Sequence, residues 1–185
     1  MQGVAGAPPQ RPRLVTARLE LVPQSLAAVR ALVEGEEPGL PLAEGYPHAD
    51  TLYGLRIAAD HATDGGDVRG WFIVRVEDGT VIGDCGTKGW VDDRGRVEIG
   101  YALSASFRRR GYGREAVAAM VTWLGAQPGV RAVTAEVEVG NEGSRRLLEG
   151  LGFVVEDTAD GSWWLRRDVG ARGRATRVPD GADGG

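Results

Sequence analysis

The sequence has few of the residues that form disulfides, bind metals or cross membranes. It contains one cysteine and two histidines in 185 residues, so we expect neither an internal disulfide nor a zinc site of Cys and His ligands. Its longest apolar-rich stretch, 116–126, is too short to span a bilayer. The first residues lack the apolar segment of a signal peptide. These absences predict a cytoplasmic protein with no metal site and no membrane partner.

Lysine is nearly absent as well, and Lys88 is the only one. The 22 basic residues are outnumbered by 26 acidic ones, which gives a formal net charge of −4. A broad face for nucleic acid is therefore not expected. The length suits one domain. Because Pro or Gly is frequent near both ends, we expect a flexible leader over 1–13, a single domain over 14–169 and a disordered tail over 170–185.

The hydrophobic pattern predicts a chain of mixed strands and helices. Apolar residues alternate in some segments and recur every three or four residues in others. Ser25 is the expected N-cap of the first helix, Pro23 is expected to end the strand before it, and Asp78-Gly79 predicts a tight hairpin. Helices and strands alternate only in part, which favours a mixed sheet covered by helices over a doubly wound parallel sheet. The predicted strands are 17–22, 71–76, 80–85, 96–103, 132–139, 153–156 and 163–167, and the predicted helices are 25–33, 51–62, 113–124 and 144–149.

The segment 107–116 reads FRRRGYGREA and joins a predicted strand to a predicted helix. The first turn of a helix has N–H groups without internal partners, and the helix dipole is positive there. Glycines let a ligand approach the backbone closely, and arginines add forked donors. The segment therefore predicts a cradle for a diphosphate.

Two kinds of diphosphate ligand suit this cradle. Gly111, Gly113 and Ala116 fit the dinucleotide fingerprint G-x-G-x-x-A, and Glu136 lies at about the distance of a ribose-binding acid. That fingerprint, however, places its glycines directly after an apolar strand, whereas 104–110 intervenes here. It also begins a parallel sheet, whereas several strands and a hairpin come first. A dinucleotide-binding protein stays the less favoured alternative.

The second ligand follows from a resemblance. Arg108-x-x-Gly111-x-Gly113 resembles the R/Q-x-x-G-x-G/A signature of the GNAT acyltransferases, which cradles the pyrophosphate of acetyl-CoA. The segments 16–21, 98–101 and 141–153 resemble, in family order, the RimJ/RimL-like branch that acetylates ribosomal-protein N-termini. The resemblance spans about 14–168. It implies a mixed α/β (α+β) GNAT-like fold, with a central, mostly antiparallel, splayed sheet covered by helices.

The resemblance also implies the activity and the cosubstrate site. The activity is N-acetyl transfer from acetyl-CoA to a primary amine, by direct attack in a ternary complex. The strand before the arginine-rich segment 107–111, which we call the arginine loop, pairs with the pantetheine arm. The loop holds the pyrophosphate, and an asparagine bonds a pantetheine amide. The cosubstrate residues implied are Tyr101, Ala102, Leu103, Arg108, Arg109, Arg110, Gly111, Tyr112, Gly113, Arg114, Asn141 and Ser144.

The remaining candidate site residues are those that could transfer protons during the reaction. The family's usual general acid is a tyrosine seven residues after the asparagine, but Leu148 stands there. In the resembling branch a serine three residues after the asparagine takes this role, which is Ser144 here. Glu98 and Glu136 are the candidate bases that deprotonate the amine. Structural roles stay open for all three, as support of a helix start for the serine and as ordinary ion-paired strand carboxylates for the glutamates.

By the same resemblance, the acceptor binds at 34–50, at the second helix with the turn after it, and at 158–162. The first two segments are acidic and suit a cationic amine, either a protein N-terminus or a small molecule. The sequence does not choose between them, nor between a monomer and a homodimer. Because Leu148 replaces the usual tyrosine, a non-catalytic acyl-CoA-binding domain is a further alternative.

Overall fold

The computed structural model describes residues 11–62 and 67–170. In this part of the chain, eight strands form one sheet in the order β1-β2-β3-β4-β5-β6-β8-β7. All neighbouring strands are antiparallel except β5 and β6, which are parallel. The predicted mixed, mostly antiparallel sheet with helices is confirmed. The elements are β1 Leu14–Val15, β2 Leu19–Ser25, α1 Leu26–Glu34, α2 Ala49–Asp60, β3 Asp67–Arg75, β4 Val81–Thr87, β5 Arg96–Leu103, α3 Tyr112–Gly125, β6 Ala132–Glu138, α4 Glu142–Glu149, β7 Val154–Ala159 and β8 Ser162–Asp168, with a 3₁₀ turn at Ala105–Phe107.

The start of α1 shows where local sequence chemistry decided the structure and where it did not. Ser25 caps the helix as predicted, because its hydroxyl accepts the Ala28 N–H at 3.1 Å. The prediction that Pro23 ends the preceding strand is wrong, since β2 continues to Ser25. Strand β1 pairs only with Glu20 and Leu21, so Pro23 lies beyond its end on a free edge. A proline costs no ladder hydrogen bond at such an edge.

The two faces of the sheet carry different side chains. Residues paired directly across strands project to the same face. Trp71, Cys85 and Tyr101 form one such row, and the Trp71 ring meets Trp123 of α3 edge-on at 5.2 Å. We call this side the α3 face. Helix α3 buries its apolar stripe here, consisting of Ala116, Val117, Met120, Val121 and Leu124.

The opposite side is the Asp84 face. Phe72, Asp84 and Ala102 form a cross-strand row on it. Tyr46, from the segment before α2, also lies on this side, because its hydroxyl bonds the Asp84 carboxylate. Glu98 of β5 and Lys88, directly after β4, continue this face.

Strands β5 and β6 separate part-way along their length. They pair from Arg96 with Ala132 to Ile99 with Ala135. Both strands continue beyond that point, to Leu103 and Glu138, while each keeps its antiparallel neighbour on the other side. We call the opening between 100–103 and 136–138 the wedge. It confirms the predicted splay of the sheet.

The ends of the predicted domain are described only in part. Arg11, inside the expected leader 1–13, is buried, and its guanidinium lies 5.2 Å from the Trp71 ring centroid. The Pro12 carbonyl accepts the Trp71 indole N–H at 2.8 Å. Most of the expected leader and tail, 1–10 and 171–185, lies outside the described residues, so these boundaries stay predictions. Among the residues described, no helix is long and apolar enough to cross a membrane.

Candidate active site

The arginine loop leads into helix α3, whose N-terminus lies at the wedge and has no capping side chain. Gly111 takes the N-cap position in the left-handed region, with φ +84°, and offers no capping side chain. The first helical N–H to bond backwards is that of Glu115, to the Gly111 carbonyl at 3.1 Å. The N–H groups of 112–114 precede it, and the helix offers them no partner. These donors and the positive end of the dipole suit an anion.

Gly113 allows this helix start to lie close to its neighbours. A Cβ at this position would lie 3.0 Å from Leu147 Cδ1 of α4 and 3.3 Å from Leu103 Cδ1 of β5. The glycine therefore lets the start of α3 pack closely against α4 and the end of β5.

A brace from the turn between β1 and β2 holds the loop, and no pattern in the sequence predicted it. The Glu115 carboxylate accepts the Thr16 hydroxyl at 2.6 Å, and the Arg18 backbone N–H and Nε at 2.8 Å each. Arg18 also donates to the Arg110 carbonyl at 3.1 Å, and its guanidinium lies 4.5 Å from the Tyr112 ring centroid. Burial alone would raise the pKa of Glu115, but these donors outweigh it and hold the pKa below its usual value.

The arginines of the loop differ in what they contact. Arg108 donates through Nε to the Leu103 carbonyl at 2.9 Å, and its Nη2 lies 3.1 Å from His48 Nε2. It therefore joins the end of β5 to the segment before α2. Arg114 donates to the Gly150 carbonyl at 2.9 Å and joins α3 to the end of α4. Arg109 and Arg110 are exposed.

Helix α4 begins at the other wall of the wedge. Asn141 caps it, with Oδ1 accepting the Ser144 N–H at 3.1 Å. The Tyr101 hydroxyl donates to the Ser144 carbonyl at 3.4 Å, so the predicted pantetheine strand and the predicted acid meet here. Burial raises the pKa of Tyr101. Leu148 is fully buried in the core and leaves no polar group at the position of the usual acid.

The two candidate bases lie together on the Asp84 face, with a lysine between them. Lys88 Nζ is 2.6 Å from Glu98 Oε1 and 3.1 Å from Glu136 Oε2. The Ser162 hydroxyl donates to Glu136 Oε1 at 3.0 Å. Donation from Lys88 and then from Ser162 lowers the pKa of Glu136. Burial lowers the pKa of Lys88, but the two carboxylates outweigh this and raise it above its usual value.

The predicted acceptor segments reach this face. The segment 34–50 supplies Tyr46 and is held by the Ser104 hydroxyl, which donates to the Glu44 carbonyl at 2.7 Å. Ser162, from the predicted segment 158–162, contacts Glu136. An open pocket of about 430 Å³ borders Glu98 and Trp164. The predicted turn after the second helix, 63–66, lies outside the described residues. Within the described ranges, no group of three or more His, Cys, Asp or Glu residues could hold a metal ion.

A splayed sheet with an uncapped helix N-terminus at its opening is the arrangement that the resemblance to the GNAT acyltransferases implies. The acetyltransferase (GNAT) domain family matches residues 20–154. The chain is 32% identical over 132 residues to the uncharacterized N-acetyltransferase YjdG of Bacillus subtilis, covering 71% of this chain and 75% of that protein. The chain belongs to the GNAT acetyltransferase family and is an N-acetyltransferase, as the sequence motifs predicted.

Solved structures share the fold. An acetyltransferase from Agrobacterium tumefaciens matches with a TM-score of 0.59 and 22% identity, covering 89% of this chain and 99% of that one. RimL, a ribosomal L7/L12 alpha-N-protein acetyltransferase solved with coenzyme A, matches with a TM-score of 0.61 and 16% identity, covering 86% and 99%. At these identities the likeness concerns the fold alone.

Proposed function

We propose that the chain transfers an acetyl group from acetyl-CoA to a primary amine, either a protein N-terminus or a small molecule. The observation that carries the proposal is the wedge beside the start of α3. There the edge of 100–103 that faces β6 lacks a strand partner, and the N–H groups of 112–114 lack helical partners. A single elongated ligand with a pyrophosphate at one end suits both sets of donors.

In this proposal, different residues bind different parts of the cosubstrate. The N–H groups of 112–114 and the exposed Arg109 and Arg110 hold the pyrophosphate. Backbone groups of Tyr101, Ala102 and Leu103 pair with the pantetheine arm, and Asn141 bonds one of its amides while capping α4. The bound thioester supplies the acetyl group.

Direct transfer requires a neutral amine and a proton for the leaving thiolate. Ser144, at the start of α4, delivers that proton. A thiol has a pKa of about 8.5, so a weak acid suffices. Glu98 and Glu136 attract the cationic acceptor and are the candidate bases. Because Lys88 pairs with both carboxylates, either one acts as a base only when its contact with the lysine is loosened.

The alternatives differ from this proposal in measurable ways. A dinucleotide site of the doubly wound kind needs a parallel βαβ unit at the head of the sheet, whereas β1 to β5 are antiparallel here. It predicts binding of NAD. A non-catalytic acyl-CoA-binding domain predicts affinity for acetyl-CoA without turnover of any amine.

Calorimetric titration of the purified protein with acetyl-CoA, and separately with NAD, tests the cradle. We expect micromolar binding of acetyl-CoA alone. Gly111→Asp places a carboxylate at the helix start and should weaken acetyl-CoA binding at least ~30-fold, about 2 kcal/mol. Gly79→Asp is the matched control, because Gly79 is also left-handed, with φ +70° in a turn far from the loop, and its Cβ would meet nothing within 4 Å.

The results of these titrations distinguish the acetyltransferase from the two alternatives. Unchanged acetyl-CoA affinity in folded Gly111→Asp protein would remove the cradle, and affinity for NAD in place of acetyl-CoA would restore the dinucleotide reading. Turnover is then measured as thiol release with tripeptide amides bearing free N-termini and with small primary amines, the products being identified by mass. Binding without turnover of any of them would favour the non-catalytic domain.

A further inference from the structure

A third carboxylate lies on the same face as Glu98, nearer the wedge. Asp84 of β4 pairs directly across the strands with Ala102 of β5, the middle residue of the predicted pantetheine strand. Its Oδ2 accepts the hydroxyl of the buried Tyr46 at 2.9 Å. Tyr46 is held in turn by its own segment, since its backbone N–H donates to the Ala43 carbonyl at 3.1 Å.

Open space adjoins this carboxylate. Gly100 stands two residues before Ala102 on the same face, and a Cβ there would meet nothing within 4 Å. Asp84 itself is half-buried. Gly100 is also the first residue of β5 after the last pair with β6. The space above Gly100, one same-face pair along from Asp84 and Ala102, is therefore open to an amine that approaches the wedge from this face.

The charges around Asp84 differ from those around the two glutamates. Glu98 and Glu136 both pair with Lys88, whereas none of the ion pairs in the described part of the chain involves Asp84. Burial raises the pKa of Asp84 to about 7, and the Tyr46 hydrogen bond opposes that rise. The side chain accepts a cation readily, because a cation would relieve the cost of burying its charge.

We propose that Asp84 receives the proton of the acceptor ammonium, with Tyr46 as its positioning residue. The inference rests on the proposed amine acetylation. An N–H bond of the ammonium breaks and its proton goes to Oδ1 of Asp84, since Tyr46 occupies Oδ2. The freed nitrogen lone pair forms the C–N bond with the thioester carbonyl carbon as the C–S bond breaks. A second proton passes from that nitrogen to water, and the thiolate gains a proton from water or from Ser144, whose hydroxyl then regains one from water. Asp84 then releases its proton to solvent.

The strength of the base suits the task. A general base works best when its pKa lies near that of the group it deprotonates and near the working pH. A terminal α-amine has a pKa of about 7.7–8.0, close to the value at Asp84. The titratable groups that interact with Asp84 are Tyr46, from the segment before α2, and Cys85 beside it on β4. Glu98 and Lys88 lie two same-face pairs further along the sheet.

The test compares Asp84→Asn with wild type, using acetyl-CoA and the peptide and small-amine panels described above. Asparagine keeps the size of the side chain and an oxygen for the Tyr46 hydroxyl. We expect kcat/KM for the amine to fall about 100-fold or more, with the Kd of acetyl-CoA changed by less than about twofold. Asp93→Asn is the control, because Asp93 is an exposed aspartate outside the site and should keep wild-type rates.

Tyr46→Phe gives a second readout that a merely structural role would not move. Loss of the hydrogen bond that lowers the pKa of Asp84 should shift the acid limb of kcat/KM to higher pH, measured with the same amine as for wild type. An unshifted limb overturns the inference, and this result stands even where Asp84→Asn fails to fold. Full kcat/KM in folded Asp84→Asn overturns it while amine acetylation stands. Failure of the wild type to acetylate any amine, despite binding acetyl-CoA, removes the proposed function and the inference together.

Discussion

The brace between Glu115 and the turn before β2 should contribute strongly to stability, and Glu115→Gln tests it. Glu115 accepts three hydrogen bonds from Thr16 and Arg18 at 2.6–2.8 Å, and a fourth donor, Arg18 Nη2, lies at 2.7 Å. Its side chain is 17% exposed and that of Arg18 is 47% exposed. The substitution removes the charge and one of the two acceptor oxygens but leaves the shape of the side chain.

The expected loss follows from these contacts. A hydrogen bond to a charged group contributes about 1.5–3 kcal/mol when it is removed from water. Because Arg18 is half-exposed and solvent screens its charge, its hydrogen bonds to Glu115 stabilise the fold by less than this range. One oxygen of glutamine still accepts a donor. We therefore expect Glu115→Gln to lower the free energy of unfolding by about 2 kcal/mol, from the loss of roughly one charged hydrogen bond.

Urea unfolding at neutral pH measures this loss. With a slope of about 2 kcal/mol per molar urea, the midpoint should fall by about 1 M. Glu149→Gln is the matched control, since Glu149 pairs with Arg145 at 2.9 Å on an exposed helix surface. Such pairs contribute about 0.3–0.5 kcal/mol, so its midpoint should fall by only about 0.2 M. Equal shifts for the two variants would refute the brace.

The pH dependence of stability gives a second test of the Glu115 brace. The folded pKa of Glu115 lies below its usual value, so its stabilisation is fully present above the unfolded pKa of about 4.3. It is lost as the pH falls through the folded pKa. The difference between wild type and Glu115→Gln should therefore shrink below about pH 4. A difference that grew in acid would mean that the carboxylate is not the stabilising form.

Two further predictions concern single side chains. Ser144→Ala should lower kcat about tenfold or more while leaving the Kd of acetyl-CoA unchanged, because its backbone N–H still bonds Asn141; full turnover would remove Ser144 from the mechanism. Cys85 is buried, and burial followed by the nearby Asp84 charge raises the pKa of its thiol. The native protein should thus resist iodoacetamide at pH 8 and react once unfolded in urea, and rapid labelling of the native form would contradict the burial.

The sequence predicted best those elements whose signal is local. Strand β5 has the predicted bounds, because its apolar alternation is unbroken from Arg96 to Leu103. The Ser25 cap is a contact between residues three apart. Pro23 was misread because its tolerance depends on the length of β1, a neighbour that its own sequence does not reveal.

The candidate site was harder to predict from the sequence, because its contacts join residues that are far apart along the chain. The glycine spacing indicated a cradle, but the contact of Glu115 with Arg18 joins residues 97 positions apart. Lys88 and Glu136 are 48 positions apart and meet only through the register of three strands. An aspartate within the apolar run of β4 was a visible signal for Asp84. Its partner Tyr46 lies in a loop whose course no periodicity predicts. The roles given to Glu98, Glu136 and Ser144 stay predictions.

The position of Lys88 bears on how the protein treats its own amines. Lys88 is the only lysine of the chain, and an amine attacks a thioester only when it is unprotonated. Glu98 and Glu136 hold its pKa above the usual value, so at neutral pH it persists as an ammonium without a nucleophilic lone pair. The chain thereby keeps its one side-chain amine from competing with the acceptor. Self-acetylation at Lys88 would leave two neighbouring carboxylates repelling each other.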